Sequence, residues 1–192
     1  MEKLYKSNLF FYSSIFFIGA ISTFSIPPLS FFPLIFILGY GIYRISIISS
    51  FQKTFIAGWF LGFGWFSFGL YWLGSAFFVA DTYHIFLMPI AIIILPSILA
   101  IFWAFAFFCA RLVTPKTKSP ILLIIISLSV FEYLRATFFT GFPWLMPSMV
   151  LTSNNYIIQI FSFVGSFSGN LIVITLCVLP VILLSKLNDK YY

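Results

Sequence analysis

Long apolar runs separated by short polar connections dominate this chain. Six runs can be read, and each is close to or above the roughly 20 residues that a helix needs to cross a membrane. They cover Leu9–Ile26, Leu29–Ile48, Phe55–Val79, Ile85–Ala110, Pro120–Phe139 and Ile157–Leu184. Backbone in lipid must satisfy its own hydrogen bonds, and the sequence lacks the short alternating segments of a β-barrel. The pattern therefore predicts an all-α fold: a polytopic transmembrane helix bundle of about six spans, with residues 1–192 as one domain.

The composition excludes a soluble protein. Hydrophobic residues make up 62% of the chain and charged residues only 7%, too few to cover the surface of a soluble domain. The net charge of +6 does not indicate nucleic-acid binding, because the basic residues are scattered between apolar runs. The expected partner is the phospholipid membrane.

The basic residues fall almost entirely in alternate connections. If the N-terminus is cytoplasmic, nine of the ten lysines and arginines lie on the cytoplasmic side, and only Arg135 lies toward the outside. The positive-inside rule then predicts that both termini are cytoplasmic. We expect the first run to be retained as a helix, because Pro27 and Pro28 follow it without the small-residue pattern of a signal-peptide cleavage site.

The segment 131–144 carries a closely spaced acid–base pair within hydrophobic sequence. Glu132 and Arg135 are three residues apart, so a helix places them on one face, where they can pair. Charges near a bilayer are costly, which leaves two interpretations: a structural pair near the outer face, or a site for a zwitterionic lipid head group. Pro143 is expected to end the helix, and Trp144 suits the membrane–water boundary.

Glycines recur at spacings that favour close helix packing. Gly58 and Gly62 are four residues apart, Gly69 falls on the same face, and Gly165 and Gly169 repeat the spacing. Small residues at this spacing let two helix backbones approach closely. We expect packing within the chain, with homodimerisation as the alternative.

The sequence offers no convincing catalytic or metal-binding group. Cys109 and Cys177 lie in apolar runs without a neighbouring base that would activate a thiol, so we expect them to be buried apolar packing residues with no chemical role. His84, beside Asp81, could be a general base or proton carrier, but a polar residue of a short interfacial loop is the preferred interpretation. No spacing suits a metal site, and no cofactor is predicted.

Two sequence motifs are distinctive: one is rich in glycines and aromatic residues, and the other contains the acid–base pair. One is Gly-Trp-Phe-Leu-Gly-Phe-Gly-Trp-Phe at 58–66 with Tyr-Trp at 71–72, and the other is Glu-Tyr-Leu-Arg at 132–135 with Thr-Gly-Phe-Pro-Trp at 140–144. Together with Phe-Ser-Ile-Pro at 24–27, they resemble the apolipoprotein N-acyltransferase family from about residue 8 to 186. The resemblance implies a multi-pass bacterial inner-membrane acyltransferase of lipoprotein biosynthesis. Such an enzyme moves an acyl chain from a phospholipid to the N-terminal cysteine of a lipoprotein.

The same resemblance implies a Glu-Lys-Cys triad in a periplasmic nitrilase-like domain, and no residue of this chain matches that triad. Neither Cys109 nor Cys177 inherits the role of the nucleophile. We therefore expect the membrane-embedded portion of such an enzyme, as a truncated, split or degenerate form that is inactive alone. A separate nitrilase-like chain is a candidate partner. The alternatives are a small transporter or channel and a membrane interaction subunit.

Overall fold

The computed structural model describes residues 2–79, 86–115, 118–138 and 143–189. These residues form α-helices and short 3-10 turns, and no β-strand occurs among them. The helices are α1 (Glu2–Ser22), α2 (Ile35–Ser46), α3 (Phe51–Gly69), α4 (Leu73–Val79), α5 (Met88–Val113), α6 (Ile121–Phe138) and α7 (Ile160–Asp189). The predicted all-α membrane fold is confirmed.

Four helical segments of the described chain are long and apolar enough to cross a membrane. They are Asn8–Ser25, Met88–Val113, Ile121–Phe138 and Ile157–Ser185. The second predicted span is shorter than expected, since α2 has only 12 residues and follows a 3-10 turn at Phe32–Leu34. The third, α3, has 19 residues and begins with polar Gln52 and Lys53. The count of six spans thus remains a prediction.

The third predicted run, 55–79, is divided in the structure. The α3 helix ends at Gly69, and a turn at 70–72 separates it from α4. Leu70 has a φ of −101° and a ψ of 11°, outside the helical range, although its N–H still donates to the carbonyl oxygen of Phe66 at 2.9 Å. The break turns Trp72 toward Trp144, against which it stacks with 4.9 Å between ring centroids. Apolar composition alone carried no signal for this interruption.

The long helices form a closed arrangement around a shared core. Each contacts the next in the order α1, α3, α5, α6, α7 and α2, and α2 returns to α1. The core contains large side chains with no more than 1% exposure, among them Leu61, Trp65, Trp103 and Phe107. Large apolar side chains such as Phe163 on α7 and Leu122 on α6 point outward, as expected of surfaces that face lipid.

Two pairs of helices approach each other backbone to backbone. A side chain at Gly64 of α3 would overlap the carbonyl oxygen of Phe16 on α1, and one at Gly19 of α1 would overlap the carbonyl oxygen of Leu61 on α3. Similarly, Gly39 of α2 lies directly on the backbone of α7. These crossings tolerate only glycine, because the atoms in the way belong to backbone that cannot move aside.

The five glycines expected to pack helices have different surroundings. Gly58 and Gly62 face α5, where an added Cβ would meet Phe107 and Trp103 respectively, and at Gly69 it would meet Leu145.

The Gly165–Gly169 pair differs from the expectation of a helix-packing face. Gly165 has a φ of 75° with nothing within 4 Å of an added Cβ, and Gly169 meets Phe161 of its own helix. The backbone at Gly165 departs from helical geometry, a conformation that glycine adopts without steric cost. Conformational freedom, rather than close approach, therefore accounts for a small residue there.

The connections predicted to be cytoplasmic meet at one end of the bundle. Arg111, near the end of α5, donates from Nη2 to the carbonyl oxygen of Ser46 at 2.7 Å and from Nη1 to that of Lys118 at 3.0 Å. Ser119 donates to the Ser46 hydroxyl at 3.2 Å. The turn after α2 and the α5–α6 connection are thereby joined. The segments 23–29, 68–72 and 144–152 meet at the other end, which we call the outer end.

The topology gives the first testable prediction. In a background of Cys109→Ser and Cys177→Ala, we expect a cysteine replacing Asn154 to react with a membrane-impermeant thiol reagent in intact cells. A cysteine replacing Lys118 should react only after the cells are permeabilised. Both positions are exposed at opposite ends of the bundle, so the two variants control for each other. Labelling of the Lys118 variant from outside would mean that the orientation is inverted.

Candidate functional site

A buried ion pair lies near the outer end of the bundle. Glu132 and Arg135 are one turn apart on α6, and both side chains are 0% exposed. The Nη2 atom of Arg135 lies 2.6 Å from Oε2 of Glu132, and its Nε donates to Oε1 at 3.2 Å. Two parallel bonds of this kind fix the guanidinium plane relative to the carboxylate.

Groups from three other parts of the chain complete this network. Trp103 of α5 donates its indole N–H to Oε1 of Glu132 at 2.7 Å. Arg135 donates from Nη2 to the carbonyl oxygen of Trp144 at 3.0 Å, and its guanidinium lies 5.0 Å from the centre of the Phe66 ring on α3. The ion pair therefore connects α3, α5, α6 and the outer segment that follows α6. Because protein groups surround both charges, the geometry favours the structural interpretation over direct contact with a lipid head group.

The outer segment 143–153 is held at several further points. Leu145 has a φ of 59°, unusual for a residue with a side chain, and its carbonyl oxygen accepts the Trp65 indole N–H at 2.7 Å. The backbone N–H of Ser148 donates to the buried Asn170 side chain of α7 at 3.1 Å. Together with the Trp72–Trp144 stack, these bonds fix the segment across the end of the bundle.

Sequence reasoning did not identify Trp65, Trp103 and Asn170 as members of this site. The sequence did offer one signal, because each of these residues brings a polar group into an apolar run. A buried indole N–H or amide needs a hydrogen-bond partner, so such a residue predicts a buried hydrogen bond. Spacing could not say which partner, since Trp65 bonds to a residue 80 positions away.

A cavity of about 700 Å³ lies at the outer end of the bundle. Residues of 23–29, 68–72 and 144–152 line it, and the Trp72 and Trp144 rings form part of its wall. Two threonines also contribute to the lining. Thr23 donates its hydroxyl to the carbonyl oxygens of Gly19 and Trp65, and Thr152 donates to that of Met149. The cavity is lined mainly by apolar surface, with the Tyr71 side chain also in its wall, and the hydroxyls of both threonines donate to backbone carbonyls.

The two cysteines lie away from this cavity. Cys177 is 1% exposed and donates its thiol to the Ile174 carbonyl oxygen within α7, and Cys109 is half-buried in α5. Among the described residues, no group of three or more His, Cys, Asp or Glu side chains is arranged to hold a metal ion. His84 and Asp81 lie outside the described residues, so their predicted roles are not addressed by the structure.

Comparison with known proteins identifies the family of this chain. The chain is 35% identical over 173 residues to an apolipoprotein N-acyltransferase of Rhodopseudomonas palustris, covering 86% of this chain and 32% of that protein. It is 42% identical over 87 residues to the Sinorhizobium fredii protein of the same name, covering 45% of this chain and 16% of that protein. The chain thus spans a third or less of the length of these curated relatives. The family model described as the apolipoprotein N-acyltransferase N-terminal domain matches residues 18–179, and the chain therefore belongs to this family.

Proposed function

We propose that this chain supplies the membrane-embedded portion of a bacterial inner-membrane apolipoprotein N-acyltransferase. In this role it holds lipid next to a catalytic domain that carries out acyl transfer to the N-terminal cysteine of a lipoprotein. The catalytic domain is provided outside these 192 residues, either in continuation of the chain or on a separate nitrilase-like chain. Family membership and the apolar helices support the membrane role, and the bundle's outer end supplies the surface that such a domain would cover.

The observation that carries the proposal is the construction of that outer end. The Glu132–Arg135 pair, with Trp103, the Phe66 ring and the Trp144 carbonyl, ties three helices to the segment 143–153. Burying two charges is expensive unless their partners are well placed, so such a network fixes a single geometry. A fixed outer surface beside an apolar cavity suits an enzyme that must present a lipid chain to a reacting group above the membrane.

The part of the chain that the structure describes contains no group suited to the chemical step. Acyl transfer through a thioester requires an accessible thiolate activated by a neighbouring base or cation. The Cys177 thiol is buried and donates to a helix carbonyl, and Cys109 lies in the lipid-spanning helix α5. Neither arrangement provides a nucleophile at the outer surface.

We expect the purified 192-residue chain to transfer no labelled acyl group from phosphatidylethanolamine to a diacylated lipopeptide. The same assay should give transfer when the full catalytic assembly is supplied, whether as a longer chain or with a nitrilase-like partner. The Cys109→Ala/Cys177→Ala variant is the control and should support the same transfer in that assembly. Transfer by the 192-residue chain alone that disappears in the double variant would refute the proposal.

A further inference from the structure

We propose that residues 154–164 form an interfacial anchor, a segment that lies in the head-group layer of the bilayer instead of crossing the membrane with the rest of α7. The anchor contains the 3-10 turn Ile157–Gln159 and the first turn of α7, and it ends where the backbone of Gly165 leaves helical geometry. Its partner is the boundary layer of the leaflet at the outer end of the bundle. The inference does not rest on the proposed function.

The helix α7 and the turn before it are longer than a membrane span requires. The apolar stretch Ile157–Ser185 has 29 residues, which would extend about 43 Å as one straight helix, whereas the hydrocarbon core of a bilayer is about 30 Å thick. The part after Gly165, residues 166–185, reaches about 30 Å by itself. The residues before Gly165 are therefore not needed to cross the membrane.

The interfacial anchor bends back over the helix that follows it. Gly165 has a φ of 75° and a ψ of 164°, and the Phe161 ring lies 2.6 Å from the position of a Cβ on Gly169. In a straight α-helix, residues eight apart are separated by about 12 Å along the axis, and side chains lean toward the N-terminus. Phe161 could not reach Gly169 in that geometry, so the direction of the chain changes at Gly165.

Asn170 marks the level at which the bundle ends. Its side chain is buried and accepts a hydrogen bond from the backbone N–H of Ser148, which belongs to the outer segment 143–153. A straight continuation of α7 from Asn170 back to Ile157 would project about 20 Å beyond this contact. The bend at Gly165 keeps the interfacial anchor closer to the level of the outer segment, whose Trp144 is a residue type typical of the membrane–water boundary.

The side chains of the interfacial anchor suit the boundary layer. Tyr156 and Phe163 are 89% and 88% exposed, and both would be costly to leave in water. No residue between Arg135 and Lys186 is charged, so the anchor offers a protein partner no charge complementarity. Aromatic rings are enriched at the head-group level, where neutral polar groups can still bond to water. The polar residues of the anchor are all neutral, namely Asn154, Asn155, Gln159 and Ser162.

The start of the interfacial anchor is fixed by its own side chain. The Oδ1 atom of Asn154 accepts from the backbone N–H groups of Tyr156 at 2.8 Å and of Ile157 at 3.2 Å. Two backbone donors at the beginning of a helical segment are thus paired without water. This pairing allows the first residues to enter a partly apolar layer without leaving those donors unsatisfied.

The test measures the depth of single positions in the membrane. Single cysteines replace Ile157, Ile160 or Leu171 in the Cys109→Ser/Cys177→Ala background, and each carries a nitroxide spin label. The 192-residue chain is placed in phosphatidylcholine vesicles, where electron paramagnetic resonance compares the label's accessibility to oxygen, which dissolves in lipid, and to a water-soluble nickel complex. Labels at Ile90 and Ile94, exposed on α5, calibrate the scale and should differ by about 6 Å in depth.

We expect the labels at Ile157 and Ile160 to lie at similar depths in the boundary layer, reached by both reagents. Each should lie no more than about 9 Å outside Leu171, the rise of the six residues that separate Leu171 from Gly165. A straight helix would instead place Ile157 about 21 Å outside Leu171. Adding phosphatidylglycerol to the vesicles should leave these depths unchanged, because the interfacial anchor carries no charge.

Two serine variants separate anchoring from general loss of apolar surface. Tyr156→Ser/Phe163→Ser removes the two most exposed rings of the interfacial anchor and should raise the nickel accessibility of the label at Ile160 several-fold. Phe10→Ser removes a ring that is 76% exposed on α1 and should leave that accessibility unchanged. An unchanged label in the double variant, with an unchanged circular dichroism spectrum, would contradict the proposal.

The proposal is overturned if Ile157 lies about 21 Å outside Leu171, since α7 would then be straight. It is also overturned if nickel but not oxygen reaches the labels at Ile157 and Ile160, because the segment would lie in water. Labels reached by neither reagent would mean that protein covers the segment, and dipolar broadening between labels would identify that protein as a second copy of this chain. The labelled side chains are exposed, so the depth scan decides the question even if the double serine variant fails to fold. Acyl transfer is not measured, so the outcome is independent of the proposed function.

Discussion

Replacing Arg135 with methionine should lower the free energy of unfolding by about 3–5 kcal/mol, the usual cost of breaking a buried ion pair. The change leaves the Glu132 carboxylate buried, with its hydrogen bond from the Trp103 indole but without its cationic partner, and it removes a donor from the Trp144 carbonyl. Glu132→Gln should also be destabilising, because it leaves the guanidinium buried beside a neutral amide. Both effects are measurable by titrating the purified protein in mild-detergent micelles with a denaturing detergent.

The double variant Glu132→Gln/Arg135→Met should be more stable than either single variant. It removes both charges together, so that no uncompensated charge is left buried, and glutamine still offers an oxygen to the Trp103 indole. Lys53→Ala, which removes an exposed charge, is the control and should shift stability by no more than about 0.5 kcal/mol. If the two single effects simply add in the double variant, the charges do not stabilise each other.

Gly64→Ala is the second substitution for which we expect a large effect. The added methyl group would overlap the carbonyl oxygen of Phe16 and lie 3.0 Å from the backbone nitrogen of Ala20, both on α1. Because neither atom can rotate away, α1 and α3 must separate. We expect a loss at or above the upper end of the ~1–3 kcal/mol typical of overpacking. The gain in helix propensity, about 1 kcal/mol, opposes this loss but does not cancel it.

A matched glycine on another helix separates crowding from propensity. At Gly74 on α4, an added Cβ meets the terminal methyl of Met88 at 3.2 Å, a flexible group that can shift. Gly74→Ala should therefore change the unfolding free energy far less than Gly64→Ala in the same titration. Equal losses in the two variants would show that the α1–α3 crossing is looser than described.

Local spacing predicted the features that depend on a single helix. Residues three apart on α6 share a face, so the Glu132–Arg135 pair could be anticipated from the sequence, and it is present at 2.6 Å. The apolar runs likewise located α5 and α6 to within a few residues. These features need no knowledge of which helices are neighbours.

Features that depend on two distant segments could not be predicted in this way. The reciprocal crossing of Gly19 and Gly64 requires knowing that α1 lies against α3, and the pattern within either helix does not contain that information. Gly165 illustrates a related limit. Its spacing from Gly169 suggested close packing, yet the residue is needed for a backbone conformation with φ of 75°. A small residue in a sequence does not reveal which of these two properties is used.

The closed order of the helices bears on how the molecule is assembled. The 12 residues of α2 extend only about 18 Å, less than the roughly 30 Å of a bilayer's hydrocarbon core. Gly39 of this short helix rests on the backbone of α7 at Cys177, which the ribosome delivers well after α2. Until then, the face of α2 that α7 will cover must be sheltered by lipid or by the insertion machinery. The bundle can therefore close only after α7 has entered the membrane, which makes closure a step that follows the insertion of α2 rather than part of it.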